Sequence, residues 1–176
     1  MQKIEIPLSK LKLLFSIGGA TLFVVLGFHL LTTIADRSRY DPNFIKALGI
    51  ITIIFFGAAG IYGVIKLFDK GMGLIIDDIG IIDNTNASSV GLIKWSEITE
   101  IRVIKVKSTK ILLIYTSDPN NFLRKVSGIK RKLMKGNMKM YGTPLSITST
   151  AIRYDFNDLE KTLNDRLMTY RKMPNR

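Results

Sequence analysis

The chain has 176 residues and a formal net charge of +12, with 47% hydrophobic and 23% charged residues. It contains no Cys and a single His, His29. That excludes a disulfide framework, thiolate metal sites, Cys nucleophiles, His-based metal clusters and a Ser-His-Asp triad built from this chain alone.

The average hides a split. Residues 13–65 are mostly apolar, whereas the stretch from Lys66 onward carries 20 basic and 11 acidic residues, a net of +9. Residues 1–12 read as a cytoplasmic N-terminal tail bearing Lys3, Lys10 and Lys12. Residues 13–34 follow without a formal charge, and at about 1.5 Å per residue they reach roughly 33 Å, enough to cross a hydrocarbon core as a first transmembrane helix. A cleavable signal peptide fits less well, because its apolar region is usually about 7–15 residues. Residues 35–46 form an external loop in which Asp41-Pro42-Asn43 is turn chemistry. Residues 47–67 make the second span. A buried soluble hairpin is disfavoured, since a partner of some 110 residues could not wrap two helices apolar on all sides.

Two spans put both termini on one side. Lys3, Lys10, Lys12, Lys66 and Lys70 flank the hairpin on that side, against Arg37, Arg39 and Lys46 in the loop. The positive-inside rule then gives a multi-pass inner-membrane protein with both termini cytoplasmic. Small residues recur on each span, Ser16, Gly19, Ala20 and Gly27 on the first and Gly49, Thr52, Ala59 and Gly63 on the second. They predict close packing within the hairpin, with a homo-oligomer face as the lesser reading. His29 reads as an interface-facing residue, because no intramembrane acid partners it.

Residues 70–173 read as a cytoplasmic α+β domain. Short β-type runs at 74–76, 80–82, 90–95, 101–107 and 111–115 are joined by brief turns, which favours an antiparallel meander. A further strand or pair of strands is expected over 145–154. A basic helix is expected at about 120–136, with Phe122, Val126, Ile129 and Leu133 as its apolar stripe and Gly136 or Asn137 as its stop. A C-terminal helix is expected at about 156–172, with Phe156, Leu159, Leu163, Leu167 and Tyr170 facing inward, Asp155 or Asn157 at its start, and Pro174 ending it.

The meander, the segment Ile93-Lys94-Trp95-Ser96-Glu97-Ile98 and the closing amphipathic helix together resemble the bacterial pleckstrin-homology-like (PH-like) domains. Two spans ahead of such a domain, with the opening segment Ile4-Glu5-Ile6-Pro7-Leu8-Ser9-Lys10, are similar to a family of uncharacterised bacterial two-span membrane proteins. The resemblance implies a two-helix transmembrane hairpin followed by a PH-like antiparallel β-barrel or sheet domain closed by a C-terminal helix. It implies no activity. The basic insert at about 120–140 departs from the pattern and points to a modified barrel. Independently of the family, Trp95 is expected to pack in the core or at its rim, with Ser96 or Glu97 satisfying turn amides.

From Pro119 to Tyr154 there are eight basic residues and no acid. Arg124, Lys125, Lys130, Arg131, Lys132, Lys135 and Lys139 are therefore the candidate contacts, either for anionic lipid headgroups or for a partner protein. Met134, Met138 and Met140 are candidates to dip into a lipid interface. The bland reading is that Phe122, Val126, Ile129 and Leu133 pack on the sheet while the charges are solvated. Nucleic acid is disfavoured, because no aromatic platform lies among these basic residues. Asp77, Asp78 and Asp83 lie at turns and match no metal-binding loop, and no phosphate-binding loop is present. The expectation is a non-enzymatic membrane-anchored module without a cofactor. The alternative is an accessory subunit of a membrane complex that uses its helices as the contact.

Overall fold

The computed structural model describes residues 2–35, 39–149 and 152–173. Arg37 and Pro174, used above, lie outside them. The protein is α+β, and its chain divides into two units: residues 10–70, and the segment up to Ser9 together with everything from Gly71 on.

The first unit is a helical hairpin. Helix α1 (Lys10–His29) continues through one π-helical turn, Leu30–Ile34, and α2 spans Pro42–Phe68. Both are long and apolar enough to cross a membrane. Helix α2 starts earlier than the loop reading placed it. Pro42 occupies its first turn, where a missing N–H costs nothing, and the Asp41 carboxylate accepts from the N–H groups of Asn43 and Phe44 at 2.8 and 3.1 Å. The helices touch where side chains are smallest. A Cβ added at Gly27 would lie 3.0 Å from the carbonyl oxygen of Gly49, and one at Gly63 would lie 2.8 Å from Ile17. Phe23 stacks on Phe56 with centroids 4.2 Å apart. At the end of α2, the half-hidden pair Lys66–Asp69 closes at 2.9 Å, a cation placed where the helix dipole favours it. His29 is exposed at the end of α1.

Among the described residues, the second unit contains seven strands in two antiparallel sheets. One has the order β1-β2-β3-β4, built from Ile4–Pro7, Met72–Ile76, Gly80–Asp83 and Gly91–Lys94. The other has the order β5-β6-β7, from Ile98–Val106, Thr109–Thr116 and Leu145–Thr148. The segment read as an N-terminal tail therefore contributes an edge strand. Ile6 pairs with Leu74, across a gap in sequence that contains both long helices. Ile6 is buried, and so is Leu8, which bridges to Ile152. The expected strand over 145–154 is short, ending at Thr148, with Ile152 as a lone bridge.

Trp95 sits in the core at 1% exposure, in a single 3-10 turn between β4 and β5. Its indole N–H donates to the Asp77 carbonyl at 2.9 Å, satisfying the ring's one polar group. The Glu97 carboxylate accepts from the Lys94 N–H. Helix α5 (Phe156–Lys172) covers the core, and its Leu159, Leu163 and Leu167 belong to the same buried cluster as Leu74, Ile76, Leu112 and Ile114. Its N-cap is Asp155, which accepts from the Asn157 and Asp158 N–H groups. Those two backbone hydrogen bonds hold the Asp155 carboxyl below its ordinary pKa.

Candidate functional site

The basic segment is two helices. Helix α3 covers Pro119–Arg124 and α4 covers Gly128–Tyr141. The break has a local cause. Helix α3 ends at Arg124, Ser127 is extended at φ −133°, and Gly128 adopts φ +58°, a left-handed conformation that suits glycine. The phase of the apolar stripe is lost across it. Phe122 is buried and Val126 packs half-buried against the core, but Ile129 is 77% and Leu133 44% exposed. Met134, one position on, is fully buried instead and ties α4 to the domain. The single stripe Phe122-Val126-Ile129-Leu133 is thus corrected to two helices with separate inner faces. Gly136 and Asn137 do not stop α4 either. It runs on to Tyr141 and ends at Gly142, φ +75°, whose N–H bonds the Met138 carbonyl.

The candidate cations separate into groups. Arg124 is paired with Asp118 at 2.9 Å, and Lys125 lies 5.2 Å above the Phe122 ring. Both are therefore engaged within α3 and the residues that cap it. Lys130 is half-buried, while Arg131, Lys132, Lys135 and Lys139 are exposed along α4. Among the described residues, no carboxylate forms an ion pair with any of these five. Of the three methionines, only Met140 is exposed, Met138 being half-buried and Met134 inside. Asn137 anchors the helix on the inner side, donating to Ser146 Oγ at 3.0 Å.

The carboxylates near the β2–β3 and β3–β4 turns serve the backbone. Asp77 accepts from the N–H groups of Ile79 and Gly80. Asp83 accepts from the N–H and hydroxyl of Thr85. Among the described residues, no group of three or more His, Cys, Asp or Glu side chains is arranged to hold a metal ion. The hairpin carries a groove of about 370 Å³, walled by residues such as Ile17, Val24, Phe56 and Ile61. Its lining offers no general acid or base.

The signal that sequence reading missed was the short alternation Ile4-Glu5-Ile6, which is β1. The missed residues on α4 were Met134 as its anchor and Ile129 and Leu133 as its outer row. No protein-family model matches the chain, and neither a curated protein nor a solved structure does.

Proposed function

We propose that this chain is a non-enzymatic, membrane-anchored module whose PH-like domain docks on the anionic cytoplasmic leaflet of a bacterial inner membrane. The observation that carries the docking is the row of exposed cations on α4, Arg131, Lys132, Lys135 and Lys139, which meet no carboxylate partner among the described residues. Near an anionic bilayer each is worth about 1 kcal/mol.

The anchoring has independent support. Among the described residues, twenty large hydrophobic or aromatic side chains between Leu11 and Phe68 are exposed on the hairpin. Burying each such side chain is worth about 1.5–3 kcal/mol, whereas a domain's whole stability is about 5–15 kcal/mol. Water is the wrong solvent for that surface, and hydrocarbon is the right one. The strand pairing supports an even number of crossings. Ile4–Pro7 pairs with Met72–Ile76, so the two outer ends of the hairpin belong on one side of the bilayer. The basic excess at Lys3, Lys10, Lys12, Lys66 and Lys70 favours the cytoplasmic side. The connections are short: β1 ends at Pro7 and α1 starts at Lys10, while α2 ends at Phe68 and β2 starts at Met72. Two antiparallel sheets of four and three strands and a closing α5 support the PH-like reading.

The test begins with fractionation of cells expressing the full chain. The protein is expected in the membrane pellet and resistant to alkaline carbonate. Recovery in the detergent-free soluble fraction would overturn the anchored reading. A fragment of residues 70–176 is unsuitable for lipid binding, because it lacks β1.

An accessory-subunit reading is favoured by one further observation. Cβ atoms added at Gly18, Gly19 and Gly57 would meet nothing within 4 Å, so small residues also lie on outward faces of the hairpin, where a helix of another subunit can approach. Crosslinking in native membranes that returns only monomer would remove it.

A further inference from the structure

Helix α4 has two exposed stripes. Ile129, Leu133 and Met140 are 77%, 44% and 66% exposed. Their spacing of four and then seven residues puts them in one row along the helix. Gly136 lies between Leu133 and Met140 in the same row, and a Cβ there would meet nothing within 4 Å. Lys132, Lys135 and Lys139 form the adjacent row, about a quarter-turn round the axis. The third side, with Met134 fully buried, binds the helix to its own domain. The outer apolar row therefore has no part in holding α4 in place. Scattered exposed apolar residues are ordinary. A continuous row beside a row of cations that meet no carboxylate among the described residues has the pattern of a helix lying in a bilayer interface.

We propose that α4 is an interfacial anchor. Ile129, Leu133 and Met140 insert at the boundary between headgroups and acyl chains of an anionic leaflet, while Lys132, Lys135 and Lys139 pair with lipid phosphates. This deepens the docking reading above and rests on it. Charge complementarity selects the occupant: α4 has five basic residues and no acid. Long lysine stems can lie along the apolar row while their ammonium groups stay among phosphates. Covalent connection to the hairpin through only a few residues also supplies the leaflet at high effective concentration.

The absence of Cys makes single-cysteine labelling clean. The full chain is reconstituted at one copy per lipid nanodisc, in phosphatidylcholine alone or mixed with phosphatidylglycerol. A nitroxide is placed in turn at Leu133→Cys, at Ile54→Cys on α2 and at Lys161→Cys on α5. Collisions with dissolved oxygen and with a water-soluble nickel chelate are then compared. Ile54 is expected to be shielded from the chelate in both lipids, and Lys161 open to it in both. At Leu133, chelate collisions are expected to fall about tenfold on adding phosphatidylglycerol. The triple change Lys132→Glu, Lys135→Glu and Lys139→Glu should restore them. Gly136→Leu, which fills the gap in the apolar row, should lower them further. Free access of the chelate to Leu133 in the anionic disc overturns the anchor while leaving the spans intact. Free access at Ile54 overturns the anchored reading itself. Equal shielding of Leu133 in neutral discs, unaffected by charge reversal, assigns the row to protein contact and overturns the lipid assignment.

Discussion

Helices α4 and α5 are both amphipathic, 14 and 17 residues long, yet their apolar rows have opposite destinations. In α5 the row Phe156, Leu159, Leu163 and Leu167 is buried. In α4 the row Ile129, Leu133 and Met140 lies outside, and one residue, Met134, is fully buried. Their charges differ in the same sense. Helix α5 mixes Asp158, Glu160 and Asp165 with Lys161, Arg166, Arg171 and Lys172, whereas α4 has only cations. A mixed polar face suits water. A face of one sign beside exposed apolar side chains suits a partner of the opposite sign with an apolar interior. Periodicity therefore identifies an amphipathic helix without saying which surface its apolar side meets.

The comparison can be broken first at the buried anchors. Leu163→Ala in α5 and Met134→Ala in α4 should each destabilise the domain by about 2–5 kcal/mol, whereas Leu133→Ala should cost about 0.5 kcal/mol or less. Thermal unfolding of the full chain in mild detergent, followed by Trp95 fluorescence, checks all three. Equal losses at Met134 and Leu133 would reverse the assignment of inner and outer faces. Ile6→Ala belongs with the large effects, about 2–5 kcal/mol, although it lies ahead of both long helices. A silent result there would remove β1 from the fold.

Next in size is the C-terminus of α4. Gly142→Ala forces a side chain into the left-handed region and should cost about 1–2 kcal/mol. Gly136→Ala should have the opposite sign, stabilising by about 0.5–1 kcal/mol, since glycine is a poor interior helix residue and the added methyl meets nothing. The smallest effect is at the start of α5. The lowered pKa of Asp155 means its carboxylate is favoured in the folded state. Its stabilisation is present above the ordinary carboxylate pKa of about 3.9 and disappears as pH falls through the lower folded value. Asp155→Asn should lower the unfolding temperature slightly at neutral pH and match the parent protein at strongly acidic pH.

Much was legible in the sequence because it depends on local pattern. Two uncharged runs of about twenty residues are long and apolar enough to cross a hydrocarbon core as helices, and the inner row of α5 follows from its spacing. The alternating and β-branched runs from Leu74 to Tyr115 mark strands, and the Trp95 ring is large enough to demand burial. The acid-free stretch 119–154 stands out by composition alone. Those features were sufficient to nominate the basic segment as the candidate surface.

The rest needed the third dimension. Ile4–Pro7 is too short to declare itself a strand, and its partner lies beyond two long helices, so pairing alone makes it one. The break at Gly128 turned on a backbone conformation, φ +58°, which reset the helical phase and exchanged Leu133 for Met134 at the core. Arg124 and Lys125 were indistinguishable from the α4 cations by residue type. Only the proximity of Asp118 and Phe122 set them apart. Sequence determines which segments must leave water, because hydrophobicity and helical period are properties of neighbours along the chain. Tertiary structure decides which side of each segment the domain itself covers, because that depends on contacts between residues the chain keeps far apart.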